Sequence, residues 1–264
     1  YGTTGASSNT VDLSNVQVAG SVGGGDTTSG EASNNKVSLS NGTTFTGNLY
    51  AGYTEDGNAT DNEVSLSDVT APQYVYASYT TEGQAGGTVT LSNSSVTNNV
   101  YGGFTHDGVA DGSKVTGTNS KVGGSVYGGQ GTTGASSNTV DLDNVQVTGS
   151  VSGGYTDSGD ASDNAVTLSN GTTFSGDLYA GYTKNGNATG NALTLSGITA
   201  PGSVRAGYTL IGNASGTVTI SDSTITDDVY GGYTESGTAN NSSVTIIDST
   251  ISDSTVNEYS IGSS

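Results

Sequence analysis

The sequence predicts an all-β protein: a right-handed parallel β-helix (β-solenoid) of about ten coils of 25–27 residues, with three short strands per coil. Three observations predict it. Residues 2–80 align with 131–209 without a gap, and 56 of the 79 positions are identical. Each half divides again into units opening on variants of Val-Tyr-Gly-Gly-Tyr-Thr. Their anchors, Gly23, Tyr50, Tyr76, Tyr101, Tyr127, Ser152, Tyr179, Arg205 and Tyr230, lie 25 to 27 residues apart. Apolar residues recur in fixed places of every unit. Self-similarity at a period of roughly 20–50 residues marks solenoids, propellers and arrays, so the repeat takes precedence over any local motif.

The unit from Leu49 to Val75 shows the elements in order. Leu49-Tyr50-Ala51-Gly52-Tyr53-Thr54 reads as an extended segment with small residues at its centre. Glu55-Asp56-Gly57-Asn58 is a turn in which Gly supplies positive φ. Ala59 and Asn62 follow, then Val64-Ser65-Leu66-Ser67, whose alternation marks a strand with one buried face. A turn at Asp68 leads to a third strand at Val69, and the chain returns through Pro72 to the next anchor.

Stacking these units makes columns. Val11/Leu13, Val37/Leu39, Val64/Leu66, Val89/Leu91, Val140/Leu142, Val166/Leu168, Leu193/Leu195, Val218/Ile220 and Val244/Ile246 form an inward pair, with a gap where Gly117 follows Val115. The third strand is expected to contribute Val16, Phe45, Val69, Val96, Val122, Val145, Phe174, Ile198, Ile225 and Ile251. An Ala stands at one place in all ten units, from Ala6 to Ala239, which implies a tight inward corner. Asn9, Asn35, Asn62, Asn138, Asn164 and Asn191 form a ladder of stackable amides. A single coil buries too little to fold, so stability must come from its neighbours. The crossover rule makes the winding right-handed, and ten coils at ~4.8 Å per step give a rod of about 48 Å. Residues 1–264 therefore read as one β-solenoid of two long repeats, 2–130 and 131–259, with a divergent C-terminal end at 252–264.

With 24 acidic and 5 basic residues the net charge is −19. Phosphate backbones would be repelled, so nucleic acid is not an expected partner. No apolar run is long enough to enter a membrane. There is no Cys, one His (His106) and one Arg (Arg205), so nucleophilic and acid–base constellations have almost no raw material. No catalytic residue, cofactor site or metal site is expected, apart from weak Ca²⁺ binding by turn carboxylates such as Glu55, Asp56, Asp107, Asp157 and Glu235. The lone carboxylate pair Asp227-Asp228 lacks a nearby cation in sequence.

Two aromatic columns stand out. One is Tyr50, Tyr76, Tyr101, Tyr127, Tyr179 and Tyr230, the candidate surface aromatic stripe. The other is Tyr53, Tyr79, Phe104, Tyr155, Tyr182, Tyr208 and Tyr233. Three residues separate them, so strict alternation sends them to opposite faces unless the Gly-containing centre bends the strand.

The units "VYGGYTESGTANNSSVTI" and "LYAGYTKNGNATGNALTLSG" resemble the repeats of bacterial autotransporter (type V secretion) passenger regions, over Tyr1 to about Ile251. That resemblance implies a parallel β-helix at the bacterial cell surface or released outside it, commonly an adhesin or stalk. Its partners would be host or bacterial surface glycans or proteins, or copies of itself. The signature of the family's C-terminal barrel is not in these repeats. The first expectation is thus a non-enzymatic adhesin or stalk segment binding through repeated shallow contacts. The second is a subunit of an extracellular filament stacking end to end, suggested by the equivalent places of Tyr1 and Tyr259 in the coil. The third, a polysaccharide-active β-helix enzyme, is distant.

Overall fold

The computed structural model describes residues 4–252 and 256–261, with 257–261 described by their backbone alone. Tyr1 and the rest of the C-terminal end lie outside the described residues.

A typical coil contributes one strand to each of three faces, as Leu49–Asp56, Ala59–Ser67 and Thr70–Ala71 do in succession. The first face, here called the tyrosine face, is a sheet of ten strands running from Val22–Ser29 to Val256–Ile261. The second, the valine–leucine face, is also ten-stranded, from Thr10–Ser14 to Ser243–Ile247. The short face is a six-stranded and a three-stranded sheet, separated by the coil in which Thr173 makes a single bridge to Gln146. Every strand pairs in parallel with its equivalent one coil away, as Val64 with Val37 and Val89. This is the expected parallel β-helix with three strands per coil. The two long repeats continue one stack, because Val126–Gly131 pairs with Val100–Asp107 on one side and Val151–Ser158 on the other.

Turn chemistry follows the sequence closely. The residue after each valine–leucine strand adopts a left-handed conformation: Asn41 (φ 53), Asp68 (φ 56), Asn93 (φ 47), Asn144 (φ 52) and their equivalents. Asn and Asp tolerate this region because their short polar side chains bond locally. At the other turn Gly57 has φ 137, and a methyl group there would lie 2.3 Å from the Gly30 carbonyl oxygen of the preceding coil. No other residue fits so close an approach of two backbones.

The interior is a set of like-on-like columns. The valine–leucine pairs fall in register, and Val37, Leu39, Val64, Leu66, Leu142, Leu168 and Leu195 are all essentially inaccessible. The gap at Gly117 closes partly by contact: an added methyl group would meet Leu142 Cδ2 at 3.0 Å and Val145 Cγ2 at 3.1 Å. The alanine corner is buried throughout Ala32–Ala214.

The short face departs from expectation. Register pairs Gln17 with Thr44 and Val18 with Phe45, then Ala71 with Val96, Val96 with Val122, and Val122 with Val147. The inward column is therefore Val18, Phe45, Ala71, Val96, Val122, Val147, Ala200, Ile225 and Ile251, not the mixed set read from the sequence. Val16, Val69, Val145 and Ile198 belong to a second column two places earlier, shared with Thr43, Ser94, Ser120, Thr172 and Ser223. The hydroxyls in that column accept backbone N–H groups of the preceding coil: Ser94 Oγ from Val69 at 3.2 Å and Thr172 Oγ1 from Val145 at 3.2 Å. Bulk is exchanged between the two columns. A small or medium residue in the first (Ala71, Val147, Ala200) accompanies Val or Ile in the second, and a larger one (Phe45, Ile225) accompanies Ser or Thr there. Interiors at near-crystalline density require such local compensation.

Replacing Val64 (0% exposed) or Leu66 (1% exposed) by Asp buries an unpaired charge in mid-stack. Each is expected to cost on the order of 4 kcal/mol or more, whereas Ser65→Asp on the partly exposed side of the same strand costs much less. Thermal melting followed by far-UV circular dichroism checks the order, and equal losses for the three variants would refute the strand phase.

Candidate functional site

The tyrosine face owes its character to a bend at the centre of each strand. In Leu49–Asp56 the side chains of Leu49, Ala51 and Thr54 are buried, and Gly52 is buried immediately after Ala51. Two inward positions in succession break the alternation, so Tyr50 and Tyr53 emerge on the same side. Their rings meet edge to face at 5.5 Å. The inward side at this bend is closed by the asparagine ladder. A methyl group at Gly52 would lie 2.3 Å from Asn62 Nδ2, and at Gly181 it would lie 2.5 Å from Asn191 Nδ2. Where Ser78 replaces the glycine, the ladder position holds Gly87 instead, and Asn62 Nδ2 donates to Ser78 Oγ at 2.9 Å.

The ladder itself behaves as the sequence implies. Asn164 Nδ2 donates to Asn191 Oδ1 at 3.1 Å and to the Ala135 carbonyl at 3.0 Å, and Asn138 Nδ2 donates to Asn164 Oδ1 at 3.1 Å. A column not recognised from the sequence is the last residue of the anchor motif. Thr54, Thr80, Thr183, Thr209 and Thr234 are buried, and each hydroxyl donates to the carbonyl of a turn glycine in the preceding coil, as Thr54 to Gly30 at 3.0 Å. Its recurrence at every anchor but that of Tyr127, where Gly131 stands, was the available signal.

The structure brings both aromatic columns together as two adjoining rows. Tyr50, Tyr76, Tyr101 and Tyr127 stack nearly parallel, at centroid distances of 5.1, 4.9 and 5.2 Å. Tyr53, Tyr79 and Phe104 form the second row, at 5.0 and 5.2 Å, and the rows interlock edge to face. The row singled out from the sequence is the more covered one, with Tyr76, Tyr101, Tyr179 and Tyr230 only 6–8% exposed. The second row, from Tyr53 to Tyr233, is half-buried and presents more ring to solvent. The reason is position: the first row sits beside the preceding turn, which covers it. The residue two places before engages the hydroxyl at Tyr50, Tyr101, Tyr127, Tyr179 and Tyr230, whereas Tyr74 stacks its ring on Tyr76 at 6.0 Å. Asn48 and Asn99 donate to Tyr50 and Tyr101 at 2.7 Å, and Tyr230 donates to Asp228 at 2.8 Å.

The first row departs from tyrosine at three anchors. Gly23 and Ser152, equivalent positions of the two long repeats, leave places without a ring. The third place is taken by Arg205, whose Cζ lies 5.9, 5.2, 5.6 and 5.5 Å from the ring centroids of Tyr179, Tyr208, Tyr230 and Tyr233. Its Nε is buried without a hydrogen-bond partner, and among the described residues the ion pairs are Lys36–Glu63 and Lys184–Asp157 only. The cation is thus held by aromatic faces, an attraction worth on the order of 0.5–2 kcal/mol per well-placed ring.

The other polar candidates find ordinary places. Glu55, Asp56, Asp107, Asp157 and Glu235 are exposed, and Asp56, Glu82 and Asp107 fall in register on three successive coils. Among the described residues no group of three or more His, Asp or Glu side chains is placed to hold a metal ion. Asp227 accepts from Ser203 Oγ at 3.1 Å, and Asp228 from the Tyr230 hydroxyl. His106 packs edge-on against Phe104 at 5.2 Å.

Fold and face together define a β-solenoid with one tyrosine-lined side. Comparison with protein-family models, with curated proteins and with solved structures finds no significant match.

Burial raises the phenols of Tyr101, Tyr208 and Tyr230 to about 12, with the Glu235 carboxylate adding to the effect at Tyr208 and that of Asp228 at Tyr230. Tyr76 and Tyr179 are raised too, mainly by burial. These groups are neutral when protonated, so the folded state holds their protons at pH values where the unfolded chain has released them. Their contribution to stability is therefore constant below about pH 10 and falls as pH rises from there towards 12. Absorbance titration at 295 nm should show a late fraction of the phenolate appearing only above pH 11, together with loss of the β-sheet circular dichroism. Complete, reversible ionisation near pH 10 with the fold intact would contradict the packing of the rings.

Proposed function

We propose that this protein is a non-enzymatic extracellular surface structure, an adhesin or stalk segment of an autotransporter-like passenger, which binds through repeated shallow contacts on its tyrosine face. The observation that carries this reading is the double row of rings along one flat side of a rod, with ring-to-ring spacings near 5 Å from Tyr50 to Tyr127. Tyrosine rings supply apolar contact area with a polar tip, a combination suited to sugar rings and protein surfaces. Weak contacts repeated on a rigid support gain through avidity, since each further contact is made at high effective concentration. The net charge of −19 opposes adsorption to anionic surfaces and keeps the rods apart from one another until a specific contact forms.

Adhesion to cells or immobilised glycans should fall in steps as second-row rings are removed. Replacing Tyr53, Tyr79, Tyr182 and Tyr233 by Ser, singly and then together, is expected to weaken attachment by about threefold to tenfold per ring, corresponding to 0.7–1.4 kcal/mol each. Attachment measured by flow adhesion or surface plasmon resonance on the intact rod decides it. An unchanged affinity in the quadruple variant, with the melting temperature preserved, would remove the tyrosine face as the contact surface. A steady turnover of polysaccharide by the wild-type chain would remove the non-enzymatic reading.

A further inference from the structure

We propose that the gap at Ser152 in the first tyrosine row is a receptor for a planar cationic side chain, the guanidinium of an arginine presented by a partner protein. The proposal rests on the reading of the tyrosine face as the contact surface and names the chemistry of one site on it.

The gap has a defined shape. Register sets Ser152 directly between Tyr127 and Tyr179, one coil to either side. Its own side chain is 1% exposed and turned back, donating to the Gly154 carbonyl at 3.0 Å. One ring is therefore missing from the stack, and a notch of about 350 Å³ stands in its place, walled by Tyr127, Tyr155, Tyr179, Tyr182 and Tyr208 with Asp177 at its edge. Two coils further on, the same row shows what such a place accepts. Arg205 occupies it between Tyr179 and Tyr230, with four ring centroids 5.2–5.9 Å from its Cζ and no ion pair among the described residues. The row thus holds a guanidinium in the slot geometry that is open at Ser152.

Electrostatics selects the same occupant. A flat cation between ring faces gains from the negative face of each ring. Asp177 is exposed at the rim and offers a carboxylate for a charge-assisted bond to a guanidinium. Lys184, a cation beside the Tyr155 and Tyr182 walls, is engaged by Asp157. The chain as a whole is strongly acidic, which speeds the approach of basic partners. A neutral sugar could lie against one ring but uses neither the carboxylate nor the charge. A lysine has the charge without the plane. The equivalent gap at Gly23 has Asp26 and Glu55 on its walls beside Tyr50 and Tyr53, so the acid-rimmed opening recurs one long repeat away.

The test uses the full chain and three probes: N-acetyl-L-arginine methylamide, its lysine counterpart and methyl β-glucoside. Backbone amide shifts are followed by NMR over Ser150–Tyr155 and Asp177–Tyr182. The expected result is a saturable arginine response confined to these segments, several-fold weaker for lysine and absent for the glucoside. Ser152→Tyr, which fills the slot with the row's own residue, should reduce arginine affinity at least about tenfold while leaving the melting temperature equal or higher. Asp177→Asn, on an exposed side chain, should reduce it about threefold to fivefold, and it decides the matter if Ser152→Tyr fails to fold. Preference for the glucoside, an arginine response unchanged in the folded variants, or no saturable arginine response would each overturn the proposal. Arginine shifts spread evenly along the tyrosine face would overturn the notch while leaving that face intact as a contact surface.

Discussion

Each residue in this molecule is judged by the residue directly above and below it. The strands pair in parallel and in register, one coil against the next, so a side chain meets its own counterpart at a single strand spacing. Like groups must then coexist at close range. Leucine on leucine, amide on amide and ring on ring satisfy that condition, while charge on charge in the interior does not. Departures are compensated within the coil where they occur or from the coil beside it. Gly52 with Asn62 becomes Ser78 with Gly87, the short face trades bulk between its two columns, and Leu142 and Val145 of the next coil border the space left at Gly117. A close-packed interior tolerates substitution when volume is conserved nearby.

This constraint also decides what was legible in the sequence. The valine–leucine pairs, the alanine corner, the asparagine ladder and the turn at Asp68 all follow from period and residue type, because each has one place per coil and one chemistry. The short face was misread because its apolar residue occurs at either of two inward positions. Phe45 and Val69 look equivalent in hydrophobicity yet belong to different columns, and the buried hydroxyls of Thr43 and Ser94 resemble turn residues until their hydrogen bonds to the preceding coil are seen. Which side the two aromatic rows share was left open by the sequence for a related reason. Strict alternation holds for a flat strand, whereas Ala51 and Gly52 are both buried and turn the chain by one place. That bend needs a residue without a side chain against the amide of Asn62, so the signal lay in pairing Gly52 with Asn62 across ten residues. The role of Arg205 was hidden because a single substitution in a column carries no periodicity at all.

Inside and outside columns obey different rules, and the difference locates function. Interior apolar columns drift among Val, Leu, Ile, Phe and Ala, with one Gly at 117, or exchange bulk with a neighbour. The first tyrosine row accepts Gly23, Ser152 and Arg205 without any compensating change in the core beneath: Val22, Val151 and Val204 remain buried under all three. Variation there has no fold to preserve beyond the ring contacts themselves. A rod built this way can carry local chemistry of its own at chosen heights while its support stays constant.

The two long repeats sharpen this point. They place ring-free anchors at equivalent heights, Gly23 and Ser152, five coils apart, yet differ at the next variable anchor, where Tyr76 in one corresponds to Arg205 in the other. In the first half the row runs uninterrupted from Tyr50 to Tyr127, and its rings stack within 8° of parallel. In the second the guanidinium of Arg205 separates Tyr179 from Tyr230, and the rings around it tilt: Tyr208 and Tyr233 meet at 73° rather than stacking. A planar cation accepts contact from several ring edges and faces at once, so it loosens the parallel order that tyrosine alone imposes. The same backbone therefore presents two surfaces, one a flat aromatic strip and one a more irregular cage about a fixed positive charge. Duplication followed by substitution at a few outward anchors suffices to make them different, because nothing in the stacked interior depends on those side chains.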